Sequence, residues 1–348
     1  MIEISVIVTA YNRKEFLKDA LESLNNQTLE KNKFEVILIT NFEYNTYENL
    51  NGVNLKHIIM DGSLGEYLYR GIVESRGEII TFLDDDDKFS NTKLERVFEV
   101  FSSRKGIIYL HNAQEFIDRD SNLLERPKNF PSFPNDLLFR SDQMDSVFKT
   151  LKEFHLDLQH LFFNLSSVSV ARKIFDEHSN EIKKLLANPD DLIFYVASAS
   201  RGELFFTKTK LTMYRVHNST SNVIGGYDDQ RVIEQRKKHF NDIILSQKLF
   251  LDIIKNPVLN SYETSKLTYY QALLYKIEGK AIDVFKQMIR IVFTGALKKI
   301  PRYNMRDRLK IYLGLSIFSI FYPLSLKVKI LQKFSRHHPH LLSLRKFS

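Results

Sequence analysis

The sequence predicts an α/β fold: a mostly parallel central sheet, followed by a helical C-terminal region. Three observations lead there. The first 110 residues alternate short apolar strands with helical patterns, the mark of βαβ units. One of those strands, Glu78–Leu83, is a continuous apolar run, as a strand covered on both faces must be. From about residue 230 onward the periodicity is helical only.

In chain order, Ile4–Ala10 (ISVIVTA) reads as the first strand. Over Lys14–Asn26, Phe16, Leu17, Ala20, Leu21 and Leu24 form one stripe at helical spacing. Phe34–Thr40 and Lys56–Met60 read as strands, and roughly Glu66–Ser75 as a helix. After the Glu78–Leu83 strand, Asn91 or Thr92 is placed to cap a helix carrying Leu94, Val97, Phe98 and Phe101. Gly106–Leu110 is a further strand. Residues 120–150 are weakly patterned, with Pro127, Pro131 and Pro134 marking a loop. Strands return at Ser166–Val170 and Leu204–Val216. In the helical region Phe240, Ile243, Ile244, Ile253 and Ile254 hold one stripe, and Ile282, Phe285, Ile289, Val292 and Ala296 another. The expected division is 1–225 and 226–348.

At 348 residues the chain is long enough for about two domains and for a core that needs no covalent staple. It has no cysteine, which excludes a disulfide scaffold, thiolate zinc and a catalytic thiol. It opens Met-Ile-Glu-Ile-Ser, with no basic start before an apolar stretch, unlike a signal peptide. The net charge of +8 is uneven. Residues 231–348 carry 23 Lys+Arg against 7 Asp+Glu, whereas 1–230 carry 27 against 35. A basic C-terminal part suits an anionic surface. Ile311–Leu326 has no charge, contains Pro323 and has basic flanks. It is short of the roughly 20 residues of a span. It reads as a segment lying in the membrane interface, with a core helix as the alternative. No nucleic-acid motif accompanies the charge, and lipid fits better than nucleic acid.

The strongest chemical signal is Asp84-Asp85-Asp86-Asp87 at the end of a buried strand. Ligands of open α/β sheets bind outside the carboxyl ends of the strands. Four adjacent carboxylates repel, and a divalent cation relieves that repulsion. Mn²⁺ and Mg²⁺ take oxygen ligands and commonly join carboxylates to substrate phosphates. A solvated acidic turn is the plainer alternative. Asn188-Pro189-Asp190-Asp191-Leu192 opens a helical stretch, where an Asp in the first turn has a capping role on its own account. No phosphate-cradling GxxxxGK[ST], GxGxxG or GxSxG pattern is present.

SVIVTAYNR at residues 5–13, Ala20-Leu-x-Ser-Leu-x-x-Gln27-Thr28, and Arg76-Gly77-Glu78-Ile-Ile-x-Phe-Leu-Asp84-x-Asp86-Asp87 together resemble family 2 of the glycosyltransferases. The resemblance covers about residues 3–120. It implies the GT-A fold and inverting transfer of a sugar from a nucleotide donor, most readily a UDP- or GDP-sugar. Residue by residue, it implies that Thr9 and Tyr11 line the base. Asp84 and Asp86 are the ends of the DxD motif, with Asp86 the principal metal ligand and Asp84 or Asp85 near the ribose. Two departures stand out. Thr40-Asn41-Phe42 replaces a double-Asp ending, leaving Asn41, with both a donor and an acceptor, to read the base. Tyr67-Leu68-Tyr69 stands where Ala-Arg-Asn is usual, although Gly71 keeps its place.

The resemblance further implies that Asp191 is the general base, with Asp190 in place of a Glu beside it. Tyr214-Arg215-Val216-His217 resembles the family's Tyr-Arg-x-His stretch, with Arg215 expected on the diphosphate and His217 on the metal or diphosphate. The expected acceptor is a glycan or lipid-linked hydroxyl. The expected location is the cytoplasmic face of the membrane, held peripherally through 284–348. A nucleotidyltransferase and a non-catalytic glycan- or nucleotide-binding protein are the rival readings.

Overall fold

The computed structural model describes residues 2–44, 52–126, 133–154, 156, 158–217, 230–280, 283, 286 and 287. The chain divides into two compact units. One comprises Met1–His217 with Asp252–Asn256, and the other Asn218–Leu251 with Pro257–Ser348.

The first unit is built on a ten-stranded sheet. Its N-terminal part runs β1 (Ile4–Ala10), α1 (Leu17–Asn25), β2 (Phe34–Thr40), β3 (Asn54–Ile59), α2 (Leu64–Glu74) and β4 (Ile79–Asp84). These strands lie in the order β3-β2-β1-β4, and every pairing among them is parallel. Next come β5 (Lys88–Phe89), α3 (Lys93–Ser103), β6 (Ile107–Ile117), β7 (Leu123–Leu124), β8 (Leu137–Arg140) and α4 (Met144–Glu153). The unit is completed by β9 (Val168–Ala171), α5 (Ser179–Lys183), α6 (Pro189–Ala199) and β10 (Glu203–Arg215). β9 inserts antiparallel between β4 and β6, and β10 pairs parallel with β6. The sheet is thus parallel in its N-terminal half and mixed in its second.

The apolar runs explain the core. All of β2 and most of β1 and β4 are buried, and Leu17, Ala20, Leu21 and Leu24 of α1 are buried with them. α2 starts with a reciprocal capping box between Ser63 and Glu66. α3 follows Thr92, whose side chain makes no capping bond. Gly71 keeps its place because a Cβ there would stand 2.6 Å from the Ile7 side chain.

Two differences from the sequence-based expectation have physical reasons. β6 continues to Ile117 through His111, Asn112 and Gln114, polar residues that end an apolar run. Each has a side-chain partner that offsets burial, the Phe163 carbonyl for His111, Thr212 Oγ1 for Asn112 and Ser167 Oγ for Gln114, although His111 Nδ1 and Asn112 Oδ1 find none among the described residues. α4 lies inside the stretch read as loop, with Met144, Val147 and Leu151 buried on one face. Its short stripe is overshadowed by the preceding prolines.

In the second unit the described elements are α7 (Gln230–Ile253, whose last two residues belong to the first unit) and α8 (Pro257–Ile277). Phe240 of α7 and Tyr270 of α8 have ring centroids 5.9 Å apart. Among the described residues no helix is long and apolar enough to cross a membrane. The stripe starting at Ile282 and the Ile311–Leu326 segment lie outside the described residues.

Candidate active site

The parallel register brings the candidate residues to one edge. Thr9 stands opposite Ile39 of β2 and Asp84 of β4, and Ala10 opposite Thr40. Tyr11, Asn41 and the Asp84–Asp87 turn therefore leave the sheet side by side at the carboxyl ends of β1, β2 and β4.

Tyr11 is 56% exposed, with its ring edge-on to Tyr67 at 6.1 Å. Thr9, two residues before it, is half-buried. Asn41 is engaged by Asn12, which sits at φ 54° in the β1–α1 turn. Its Oδ1 accepts the Asn12 N–H at 2.9 Å, and its Nδ2 donates to Asn12 Oδ1 at 2.7 Å. Asn41 thereby clasps the turn that presents Tyr11 and Arg13.

The acidic turn is closed by the Asp87 N–H donating to the Asp84 carbonyl at 3.2 Å. β5 follows at once and pairs antiparallel with Thr212 and Met213, so the end of β10 docks on the turn. Asp85 is buried and gripped by Arg13 through Nε at 2.7 Å and Nη2 at 2.5 Å; that Nη2 also reaches Asp86 Oδ2 at 2.7 Å. Asp86 Oδ2 also lies 2.8 Å from His217 Nε2. Burial pushes the Asp86 carboxyl up, but His217 and Arg13 hold it below its ordinary value. Asp84 is driven well above its ordinary range by burial and by Asp87, Asp86, Asp85 and Asp190. Asp87, buried, accepts Asn164 Nδ2 at 2.6 Å and the Arg215 N–H at 2.9 Å. Its carboxyl is pushed up to about 7 by burial and by Asp86, against these hydrogen bonds.

Arg215, expected on the diphosphate, has a fully buried side chain. Nε donates to the Asp86 carbonyl at 2.7 Å, Nη1 to the Asp118 and Arg119 carbonyls at 3.0 and 2.7 Å, and Nη2 to Asp19 at 2.9 Å. Its guanidinium also lies 4.5 Å from the Phe16 ring centroid. Those bonds make it a brace for the acidic turn. The same Phe16 ring packs against His217 at 4.9 Å.

Asp190 and Asp191 occupy the first turn of α6, after Asn188 at φ 56° and Pro189. Both charges favour the helix N-terminus. Asp191 is buried. Asp190 Oδ2 accepts the Asn164 N–H at 3.2 Å. Burial raises the Tyr214 hydroxyl, and Asp87, Asp86, Asp84 and Asp190 raise it further. Asn164 links the acidic turn to Asp190, its Nδ2 donating to Asp87 and its N–H to Asp190.

Sequence reading passed over Arg13, Asn164 and Lys93. Lys93 is buried on the Ser166 carbonyl and Thr212 Oγ1, with its ammonium pushed well below the usual range by burial. Arg13 is signalled by its position next to Tyr11-Asn12 in the first-strand motif. The other two carry no signal in a single sequence.

Among the described residues no three His, Cys, Asp or Glu side chains form a ready-made metal cluster. Asp86 and His217 do converge, and Mg²⁺ sites commonly consist of one or two carboxylates completed by substrate phosphates. Asp86 Oδ2 is shared between His217 Nε2 and Arg13 Nη2, so a cation arriving with a diphosphate would take the place of those contacts.

A family model described as Glycosyl transferase family 2 matches residues 5–177. An uncharacterized glycosyltransferase of Haemophilus influenzae is 33% identical over 291 residues, 82% of this chain and 90% of that protein. Glycosyltransferase AglE of Haloferax volcanii is 28% identical over 159 residues, 43% of this chain and 51% of its own length. Of two further relatives the chain spans 18% and 35% of the length. S. aureus TarS 1-349, solved in complex with UDP-GlcNAc, superposes with a TM-score of 0.52 at 14% identity, covering 86% of this chain and 88% of that one. That last likeness speaks for the fold.

Proposed function

The chain belongs to family 2 of the glycosyltransferases, and from that premise we propose that it is a metal-dependent inverting enzyme that moves a sugar from a nucleotide donor to a hydroxyl acceptor. What supports the proposal is that Asp86 meets His217 at the carboxyl edge of the parallel strands, and that Asp190, next to Asp191, is linked to the same acidic turn through Asn164.

In this reading Tyr11 offers its open ring face to the base, with Thr9 and Asn41 beside it. The TarS complex with UDP-GlcNAc supports a uridine donor; a GDP-sugar is the alternative. Asp86, Asp84 and His217 would hold Mn²⁺ or Mg²⁺, which when bound would neutralise the departing diphosphate. Asp191 accepts the acceptor's hydroxyl proton. The freed oxygen bonds to the anomeric carbon from the face opposite the diphosphate. The bond to the diphosphate oxygen breaks, and the configuration inverts. Asp190 supports Asp191 from the same helical turn. Asp85, gripped by Arg13, keeps the turn in place near the ribose.

The proposed acceptor is a lipid-linked glycan or surface polysaccharide. The proposed setting is the cytoplasmic face of a membrane, reached through the basic 284–348 segment, of which only 286 and 287 are described. The test is nucleoside diphosphate release from a panel of UDP- and GDP-sugars with and without Mn²⁺. One donor is expected to be hydrolysed only with metal. Asp86→Asn and Asp191→Asn are each expected to lower that rate by about 100-fold or more. Full turnover in both variants would refute the site.

A further inference from the structure

Three asparagines at this edge adopt left-handed backbone: Asn12, Asn164 and Asn188, at φ 54°, 73° and 56°. Such conformations cost energy for a residue with a Cβ, and they persist where the surroundings hold them. Asn12 directly follows Tyr11, and Asn188 directly precedes the helix that carries Asp190 and Asp191. Asn164 adjoins no expected site residue in sequence, yet it is 7% exposed and both of its N–H-bearing groups donate to carboxylates of the candidate site. Its Nδ2 donates to Asp87 Oδ2 at 2.6 Å, its backbone N–H donates to Asp190 Oδ2 at 3.2 Å, and its Oδ1 faces Ser167 Oγ at 3.4 Å. Two residues on, Ser166 Oγ accepts the Asp84 N–H at 2.9 Å. The 164–166 turn therefore ties both ends of the acidic turn, and through Asp190 it ties the helix that carries Asp191.

We infer that Asn164 is a positioning residue that sets the spacing between the donor half of the site, on the acidic turn, and the base half, on α6. The inference rests on the glycosyl-transfer reading above. The two halves come from elements about a hundred residues apart in sequence, and Asn164 touches both with adjacent atoms. Its side chain donates to one carboxylate and its main chain to the other. Loosening either bond lets Asp191 drift from the anomeric carbon while leaving the base shelf at Tyr11 untouched. Misplacement by about 1 Å costs on the order of 100-fold in rate.

The test uses the full chain and whichever nucleotide sugar the wild-type protein hydrolyses in the panel described above, water serving as acceptor. Asn164→Gly keeps the left-handed backbone and deletes the side chain. Asn164→Asp keeps the shape and sets a carboxylate against Asp87. Both variants are expected to lose about 10- to 100-fold in kcat for hydrolysis. Affinity for the matching nucleoside diphosphate, read by calorimetry, is expected to stay within threefold. Pairing N164D with D87N restores a donor and an acceptor with their roles exchanged, and is expected to recover most of the lost kcat. Wild-type kcat in both single variants would overturn the inference. So would equal losses in kcat and nucleotide affinity, or failure of the exchanged pair with its affinity intact, since a merely structural residue behaves that way. Wild-type protein that binds no nucleoside diphosphate would instead remove the reading beneath it, and the inference with it.

Discussion

Replacing Arg215 by Met separates two roles that the sequence leaves together. If the guanidinium contacts the donor, its loss weakens nucleotide binding and spares the fold. The structure argues for the opposite. The side chain is fully buried and gives four hydrogen bonds, three of them to main-chain carbonyls at Asp86, Asp118 and Arg119. Bonds from a charged donor are worth about 1.5–3 kcal/mol each. Desolvation of the cation offsets much of that sum, so the wild-type pairing is close to neutral overall. Removal of the cation alone leaves the acceptors stranded. Asp19 and Arg119 reach solvent and can be rehydrated, so the loss comes mainly from the half-buried Asp86 and Asp118 carbonyls. The expected loss is about 3–5 kcal/mol. At about 2–4 °C per kcal/mol for a unit of this size, Tm falls by on the order of 10 °C. Thermal melts followed by circular dichroism read the shift, with nucleoside diphosphate titration of the folded variant alongside. Arg215→Lys, which keeps the charge and some donors, is expected to lie between Met and wild type. A Met variant that melts within about 2 °C of wild type while its nucleotide affinity drops tenfold would refute the brace and return Arg215 to the donor.

Two further outcomes follow from contacts remote from the chemistry. Glu35 is buried where Ser5 Oγ and Arg76 N and Nε all lie at 2.7 Å. Burial pushes its carboxyl up, but Ser5 and Arg76 hold it below the ordinary value. A depressed carboxyl stabilises the fold above its unfolded pKa of about 4.3 and stops doing so as pH falls through the folded value. Glu35→Gln is therefore expected to cost about 1–3 kcal/mol at neutral pH, with the gap to wild type closing below pH 4 in urea titrations. A gap independent of pH would refute the assignment. Gly65 packs α2 against the end of α5 and the residues after it: a Cβ there would stand 2.3 Å from the Ile182 carbonyl oxygen and 2.6 Å from the Leu185 N. Main-chain atoms cannot rotate aside, so Gly65→Ala is expected to destabilise by about 1–3 kcal/mol or more, read as a lower urea midpoint. A midpoint equal to wild type would show that the two helices are free to separate.

The sequence by itself determined the parallel half of the sheet. β1, β2 and β4 are apolar runs whose period and length admit little else, and each appears within a residue or two of where the pattern puts it. It also placed the carboxylate run at the carboxyl edge of the parallel strands, where ligands of open α/β sheets bind. The family motifs added names for Thr9, Tyr11, Asp84, Asp86, Asp191 and His217. Tertiary structure decided what each side chain is free to do. Asn41 and Arg215 have the right chemistry for a donor, but Asn41 is clasped by Asn12 and Arg215 is used up beneath the turn. Neither fact has a period or a motif, since both depend on partners 29 to 196 positions away. Asn164 is the extreme case: one asparagine among ordinary neighbours, made significant only because two distant carboxylates fold onto it. Periodicity records which face of an element is buried. It holds no record of which polar atoms meet there, because that is set by how the elements dock.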